Sequence, residues 1–146
     1  MSIYDPKTFD PRTSIGRLLT RVKGEIMDAL DRELEPFDIT APQFVILVNL
    51  AVGETNSASA LCKGVSYDPG AMTRMLDRLE RKGLVRRVRS PSDRRRVIVE
   101  LTSEGRAVYP KLIAGAVRTI NHFLRGFSKA EAHQLEALLK RMLANA

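Results

Sequence analysis

The spacing of the apolar residues changes at Gly83, and this change constrains the fold more than any other feature of the sequence. Before Gly83, apolar residues recur every three or four positions, as on one buried face of an α-helix: Met72, Met75, Leu76 and Leu79. After it, apolar runs that begin at residue 84 and at residue 97 flank a turn-forming segment, residues 90–93. The sequence therefore predicts a helix that is followed directly by a β-hairpin.

Both ends of this helix carry residues that begin and end helices. Asp68 suits the N-cap, because its carboxylate can accept a hydrogen bond from a first-turn amide, and Pro69 suits the first helical position, where no N–H is needed. Lys82-Gly83 closes the helix, because glycine adopts the left-handed conformation of a C-terminal cap. Gly70 has no side chain, so the backbone near the amino end can approach a phosphate closely.

The face opposite the apolar stripe is basic. At ~100° per residue, four residues point away from the stripe: Gly70, Arg74, Asp77 and Arg81. Thr73 and Arg78 lie on the flanks of this face. One side of the helix is therefore expected in the core, and the other side is available to a partner.

The excess positive charge of the chain lies in the same unit. Residues 74–96 contain ten Lys or Arg against three Asp or Glu, and the resulting +7 equals the formal net charge of the whole 146-residue chain. A basic run is often only a solvated surface. Its concentration on a capped helix and on a hairpin with Arg94, Arg95 and Arg96 at or near the tip favours a nucleic-acid-binding surface.

Upstream, the sequence predicts an arm and two helices. Residues 1–12 form an extended arm, either disordered or packed on a partner subunit. A long helix begins at Ser14 and ends at Pro36, and the capping box Thr40-Ala41-Pro42-Gln43 starts a second helix that extends to about Gly53.

A short third helix is predicted from Ala58 to about Val65, with Ser66-Tyr67 as the turn into the basic helix. Ser57 or Ser59 suits its N-cap. A hydroxyl at this helix start can also meet a phosphate, although capping explains the serine about as well.

Downstream, two more helices are predicted. Thr102 or Ser103 starts the first, which Pro110 is expected to bend, and the capping box Ser128-Lys129-Ala130-Glu131 opens the last. The terminal helices carry more apolar surface than a compact monomer core needs. The simplest way to bury this surface is against the same helices of a second copy.

Several classes of protein are disfavoured. No apolar run approaches the ~20 residues that span a bilayer, and the amino terminus is unlike a signal peptide, so we expect a cytoplasmic protein without a membrane partner. The single cysteine excludes an internal disulfide and a multi-cysteine zinc site. His122 and His133 are not at ligand spacing, and no nucleophile motif or phosphate loop is present, so neither an enzyme, a metal nor a cofactor is expected.

The hairpin resembles the wing of the MarR (multiple antibiotic resistance regulator) family, in which D-x-R is followed by alternating apolar residues and L-T-x-x-G. The matching residues are Asp93-Arg94-Arg95, Val97, Val99, Leu101-Thr102 and Gly105. The resemblance continues through residues 70–79, 82–83, 38–44 and 15–18 and spans about residues 14 to 143. It implies a mainly α fold with a small β-hairpin wing: a winged helix-turn-helix unit at residues 40–102 and dimerisation helices at residues 1–36 and 103–146.

The expected partner is double-stranded DNA, bound by a homodimer. Two-fold symmetry would place two recognition helices about 34–36 Å apart, in successive major grooves of a pseudo-palindrome. We expect Arg74 to contact a guanine edge, Thr73 a thymine methyl group or a phosphate, and Arg78 a phosphate.

The resemblance implies that the wing enters the minor groove. Arg95 matches the family's minor-groove arginine. Asp93 orients it through a charge-assisted pair, caps the turn, or does both. Arg96 stands where many relatives have a small residue, which predicts an extra phosphate contact. The full set of predicted DNA-contacting residues is Ser57, Ser59, Asp68, Gly70, Thr73, Arg74, Arg78, Arg87, Asp93, Arg94, Arg95 and Arg96.

The resemblance further implies a repressor that releases DNA when a small phenolic or carboxylate effector binds between the dimerisation helices and the winged unit. Arg17 and Arg87 align with positions that line such clefts, where a guanidinium pairs with an anion. Thr73 is the third predicted ligand residue. The alternative for the two arginines is an intramolecular salt bridge.

Two other functions compete with ligand-relieved repression. Cys62 is a candidate oxidant sensor, because Lys63 beside it would favour the thiolate, or else a small buried filler. A nonspecific architectural or RNA-binding protein would share the basic charge but would show no preference among duplexes.

Overall fold

The computed structural model describes residues 1–53, 56–65 and 68–146, with the backbone alone at residues 63–65. Within these residues the chain forms α1 (Ile15–Leu34), a 3₁₀ turn (Glu35–Phe37), α2 (Ala41–Val52), α3 (Ala58–Val65) and α4 (Pro69–Arg81). The hairpin strands β1 (Val85–Arg89) and β2 (Val97–Leu101) follow, and then α5 (Ser103–Phe123) and α6 (Lys129–Leu143). The predicted mainly α fold with one hairpin is confirmed. The turn predicted at Ser66-Tyr67 lies outside the described residues.

The helices begin where the capping residues predict. Capping boxes form at Thr40 with Gln43 and at Ser128 with Glu131. Of the two serines proposed for α3, Ser57 is the cap, since its hydroxyl accepts the N–H of Ala60 at 3.2 Å. At α5 the cap is Thr102. The start of each of these helices is therefore set by local sequence.

The core lies between α2, α3, α4 and the hairpin and reaches only the carboxyl-terminal part of α1 and the middle of α5. Its largest fully buried side chains are Leu34, Ile46, Leu47, Leu61, Met72, Leu76, Leu79, Leu112, Val85 and Val99. α5 passes through Pro110 without interruption, and the bend predicted there stays a prediction. Among the helices of the described residues, none combines the length and the hydrophobicity that a bilayer crossing requires.

Large apolar side chains remain exposed on the terminal helices. On α1, α5 and α6 ten of them are between 38% and 74% exposed: Ile15, Leu18, Leu19, Val22, Val117, Ile120, Leu135, Leu138, Met142 and Leu143. We call this set the apolar face. Every residue of α6 is at least partly exposed in the single chain. The chain alone therefore leaves uncovered the surface that the sequence assigns to a second copy.

The arm contains turns and a contact with α1. Tyr4 and Phe9 pack edge to face with their ring centroids 5.2 Å apart. The phenol oxygen of Tyr4 accepts the N–H of Ile15 at 3.1 Å, which satisfies a free first-turn donor of α1. The arm is thus tied to α1, and its predicted contact with a partner subunit stays a prediction.

The hairpin and α5 meet at a tight joint. Thr102 donates its hydroxyl to the carbonyl of Gly83 and accepts the N–H of Gly105 at 3.1 Å, while its own N–H donates to the carbonyl of Leu84 at 3.0 Å. A Cβ added at Gly105 would lie 2.2 Å from that carbonyl oxygen. Glycine is therefore required by backbone contact at this position.

We expect Gly105→Ala to destabilise the protein by about 1–3 kcal/mol, the usual cost of overpacking a buried site. Gly24→Ala is the matched control, because its added Cβ would meet nothing within 4 Å and alanine favours a helix. Urea unfolding followed by circular dichroism measures both. Equal unfolding free energies for Gly105→Ala and the wild type would contradict the account of this joint.

Candidate nucleic-acid interface

The basic face of α4 is exposed, and the buried side chains on the opposite face fix the rotation of the helix about its axis. Met72, Leu76 and Leu79 are at most 1% exposed and anchor the helix in the core. Thr73 and Arg74 are exposed on the other side, near the amino end. The amphipathic pattern thus presents the predicted contact residues outward, as the sequence indicated.

The amino end of α4 is capped, and an arginine lies across it. Asp68 Oδ1 accepts the N–H of Ala71 at 2.9 Å. A Cβ at Gly70 would lie 3.2 Å from Asp68 Oδ1 and 3.5 Å from Arg74 Nη1. The missing side chain at Gly70 therefore leaves room for the Arg74 guanidinium beside the cap. Asp68 therefore caps the helix. This structural role is separate from its predicted contact with DNA, which stays a prediction.

The hydroxyl of Thr73 is already used within the helix. It donates to the carbonyl of Pro69 at 2.9 Å. A phosphate needs a donor, whereas the methyl group of Thr73 remains available. Of the two contacts predicted for Thr73, the geometry favours the one with a thymine methyl group.

The hairpin carries three arginines around its turn. β1 and β2 pair antiparallel, from Val85 opposite Leu101 to Arg89 opposite Val97. Ser90 is 5% exposed and stabilises the turn, because its hydroxyl accepts the N–H of Asp93 at 3.4 Å and its N–H donates to the carbonyl of Arg96 at 2.9 Å. The side chains that follow the turn are exposed: Arg94, Arg95 and Arg96.

Asp93 caps the turn. Its Oδ1 accepts the backbone N–H of Arg95 at 3.0 Å, and its carbonyl accepts the N–H of Arg96 at 3.0 Å. Of the two roles considered for Asp93, the structure shows turn capping. In the described part of the chain its carboxylate makes no ion pair with Arg95.

Arg87 is paired within the chain, which is the salt bridge that the sequence offered as the alternative to a ligand contact, and its predicted contacts with a ligand or with DNA stay predictions. Its guanidinium donates to Glu80 Oε2 at 2.9 Å and to Asp77 Oδ1, and its side chain is 28% exposed. The hydrogen bond to Glu80, followed by the one to Asp77, raises the pKa of Arg87, which stays cationic. These bonds join β1 to α4 and fix the wing relative to the helix.

Two further cations have acidic partners. Arg86 donates to Glu100 Oε2 at 2.9 Å, directly across the hairpin. Lys82 lies 3.5 Å from Asp38 Oδ2 and also contacts Gln43. Sequence reasoning missed the Lys82 contacts, because their partners lie about 40 residues earlier in the chain. The Arg86 pair could have been found from strand register, since it needs only the hairpin pairing.

Ser57 is unsuited to its predicted phosphate contact. It is 4% exposed, caps α3 and pairs in a bridge with Ile98. The hydroxyl is therefore shielded from solvent and already used as the helix cap. Ser59 is exposed at the first turn of α3, where a phosphate can reach it.

One of the three predicted ligand residues, Arg87, lines a cavity of the described structure. A groove of about 420 Å³ beside Arg87 is otherwise lined by Asp77, Glu80 and Arg81, so two carboxylates border it. Arg17 lies on the exposed first turn of α1, and Thr73 lies on α4. An apolar cavity of about 300 Å³ opens elsewhere, between α1, α2 and α5, and is lined by Ile26, Leu30, Phe44, Ile113, Ala116, Val117, Thr119 and Ile120.

Cys62 is half-buried and packs against the core. This position fits the filler interpretation of the cysteine. The side chain of Lys63, which the oxidant-sensing hypothesis requires, lies outside the described residues.

Comparison with known proteins identifies the family. The family model described as "MarR family" matches residues 39–97. The multiple antibiotic resistance protein MarR of Escherichia coli is 36% identical over 136 residues, which cover 92% of this chain and 94% of that protein.

Comparison with solved structures points to the same family. A mutant E. coli MarR complexed with operator DNA matches with a TM-score of 0.80 at 34% identity. The matched region covers 92% of this chain and 99% of the MarR chain. Bordetella bronchiseptica BpsR, whose DNA binding is regulated by 6-hydroxynicotinic acid, has a TM-score of 0.79 at 26% identity and covers 92% of this chain and 96% of its own. The predicted family resemblance is confirmed: the chain belongs to the MarR family of winged helix-turn-helix transcriptional regulators.

Proposed function

We propose that this protein is a homodimeric repressor that binds a pseudo-palindromic operator and is released by a small aromatic acid. The observation that carries the proposal is the division of its cations. Arg87, through Asp77 and Glu80, joins the wing to α4, whereas the arginines of α4 and of the hairpin turn are exposed. The structure of E. coli MarR with operator DNA supports a duplex as the partner of these exposed arginines.

The apolar face supports the homodimer. Exposed leucine, isoleucine and valine side chains on α1, α5 and α6 would meet water in an isolated chain. A second copy buries the same surface on both protomers at once, as a two-fold interface requires. We therefore assign residues 1–36 and 103–146 to dimerisation and residues 40–102 to DNA binding. The target is chromosomal DNA, so the protein acts in the cytoplasm, and the proposal includes no catalytic step.

In this arrangement each α4 enters a major groove, and the two helices lie about 34–36 Å apart on one face of the duplex. Arg74 reads a guanine edge with its bidentate guanidinium, and Thr73 places its methyl group against a thymine. Arg78 binds a phosphate. Arg95 enters the adjoining minor groove, where a narrow A·T-rich segment attracts cations, and Arg94 and Arg96 bind the flanking backbone.

Replacement of Arg74 by alanine should cost about 1–3 kcal/mol in operator binding and relax specificity at one base position per half-site. Arg78→Ala is the control, because loss of a phosphate contact should weaken every duplex to the same extent. Fluorescence anisotropy with the operator, with single-base variants and with random duplex measures both effects. If Arg74→Ala weakens binding to all duplexes equally, the base contact is rejected. If the wild-type protein binds the operator no more tightly than random duplex, the result favours a nonspecific architectural protein.

The effector hypothesis is supported by BpsR, which is regulated by an aromatic carboxylate. In this chain Arg87 is satisfied by Glu80 and Asp77 before any ligand binds. A carboxylate that binds Arg87 must therefore compete with these two groups. Success in this competition would separate β1 from α4 and move the wing, which links effector binding to DNA release. Thr73 and Arg17 are the further residues proposed to line the ligand site.

We expect salicylate or 6-hydroxynicotinic acid to raise the melting temperature and to weaken operator binding, because a ligand stabilises the state that it binds. In Arg87→Gln both responses should be lost. Arg86→Gln, which changes the neighbouring cation on the opposite face of β1, should retain them. Differential scanning fluorimetry and anisotropy provide the two readouts. Wild-type protein that responds to neither acid in either assay would remove aromatic acids as effectors.

A further inference from the structure

Lys82 follows α4 directly, and its side chain turns back into the molecule. Its ammonium donates to the backbone carbonyl of Asp38 and to Gln43 Oε1 at 3.1 Å, and lies 3.5 Å from Asp38 Oδ2. Two of the three ammonium donors are thus used in hydrogen bonds, and the Asp38 carboxylate lies within ion-pair distance. Only 25% of the side chain is exposed. Lys82 is therefore used inside the protein, although it belongs to the basic run.

The oxygens that receive Lys82 belong to an ordered corner between α1 and α2. Asp38 has a φ of 54°, a left-handed conformation that is uncommon for a residue with a side chain. Gln43 is 3% exposed, and its Oε1 also accepts the N–H of Thr40 at 3.1 Å in the capping box. Asp31 of α1 accepts the N–H of Ala41 at the start of α2. The acceptors of Lys82 are thus held by α1 and α2 together.

We propose that Lys82 is a positioning residue that fixes α4 relative to α1 and so sets the distance between the two recognition helices of the dimer. The proposal rests on the proposed function, in which α1 lies at the dimer interface and α4 in the major groove. α4 packs mainly on α3 and β1. The contacts of Lys82 join the end of α4 to the corner where α1 meets α2. Without them, α4 can tilt or shift relative to the two-fold axis.

A positioning role differs in its consequence from a phosphate contact. Loss of a lysine that binds a phosphate weakens all duplexes to the same extent. Loss of a lysine that positions α4 alters which separation of half-sites the dimer accepts, while each helix still reads its own half-site. Spacing preference therefore separates the two roles, and neither a change in net charge nor a modest loss of stability imitates it.

The test uses the dimer of the 146-residue chain and three duplexes with identical half-sites. One duplex has the half-site spacing that the wild type selects from random duplex, and the other two have one base pair added or removed. One base pair moves a half-site by about 3.4 Å and rotates it by about 35°. The wild type should prefer the selected spacing by about tenfold or more. Lys82→Met removes the ammonium, and Gln43→Met removes one acceptor. Each should reduce this preference to about threefold or less and leave the preference for the half-site sequence unchanged.

Arg81→Met is the matched control, because it removes one positive charge from the adjacent exposed residue. It should keep the wild-type spacing preference, even where it weakens all three duplexes. If Lys82→Met does not fold, Gln43→Met carries the test. Folded, dimeric variants that retain the tenfold preference would overturn the positioning role and leave the proposed function standing. A wild type that binds no palindrome would overturn the proposed function and this inference with it.

Discussion

The structure depends on how ten cations within residues 74–96 are accommodated. Placed side by side without counter-charges, they would repel one another and separate the hairpin from α4. The fold pairs three of these cations with carboxylates where two elements meet. Arg87 pairs with Glu80 and Asp77, Arg86 with Glu100, and Lys82 with Asp38. The remaining arginines of α4 and of the hairpin turn stay at the surface. The same charge that would destabilise the unit is thus divided between holding it together and attracting a polyanion.

This division explains why the wing and the recognition helix act as one unit. Arg87 joins β1 to α4, and the joint of Thr102 and Gly105 holds the base of the hairpin against α5. Lys82, at the same carboxyl end of α4 as the partners of Arg87, joins the helix to the corner of α1 and α2. The orientation of the basic surface is therefore tied to the helices proposed for dimerisation. In the proposed function, an effector that breaks one of these contacts would change DNA affinity without touching the side chains proposed to contact DNA.

Much of the fold was predictable because its signals are local. The capping boxes at Thr40 and Ser128 mark helix starts within four residues of sequence, and the amphipathic stripe of α4 determines which face is buried. The partners of Lys82 and the burial of Ser57 were not predictable, because they depend on how distant elements pack. For Arg87 the sequence offered both a ligand and a salt bridge. The choice between these two roles depends on the position of β1 beside α4, which no local sequence pattern indicates.

The dependence of operator affinity on salt tests the central claim most directly, because it counts the phosphates that the cations neutralise. Replacing Arg94, which is exposed, by glutamine should make the slope of log K against log salt less negative by about 1.8, since each protomer loses one contact of about 0.9. Replacing Arg86, which is paired with Glu100, should leave the slope unchanged. Equal changes in slope for the two variants, or none for Arg94→Gln, would contradict the division of structural and DNA-binding arginines.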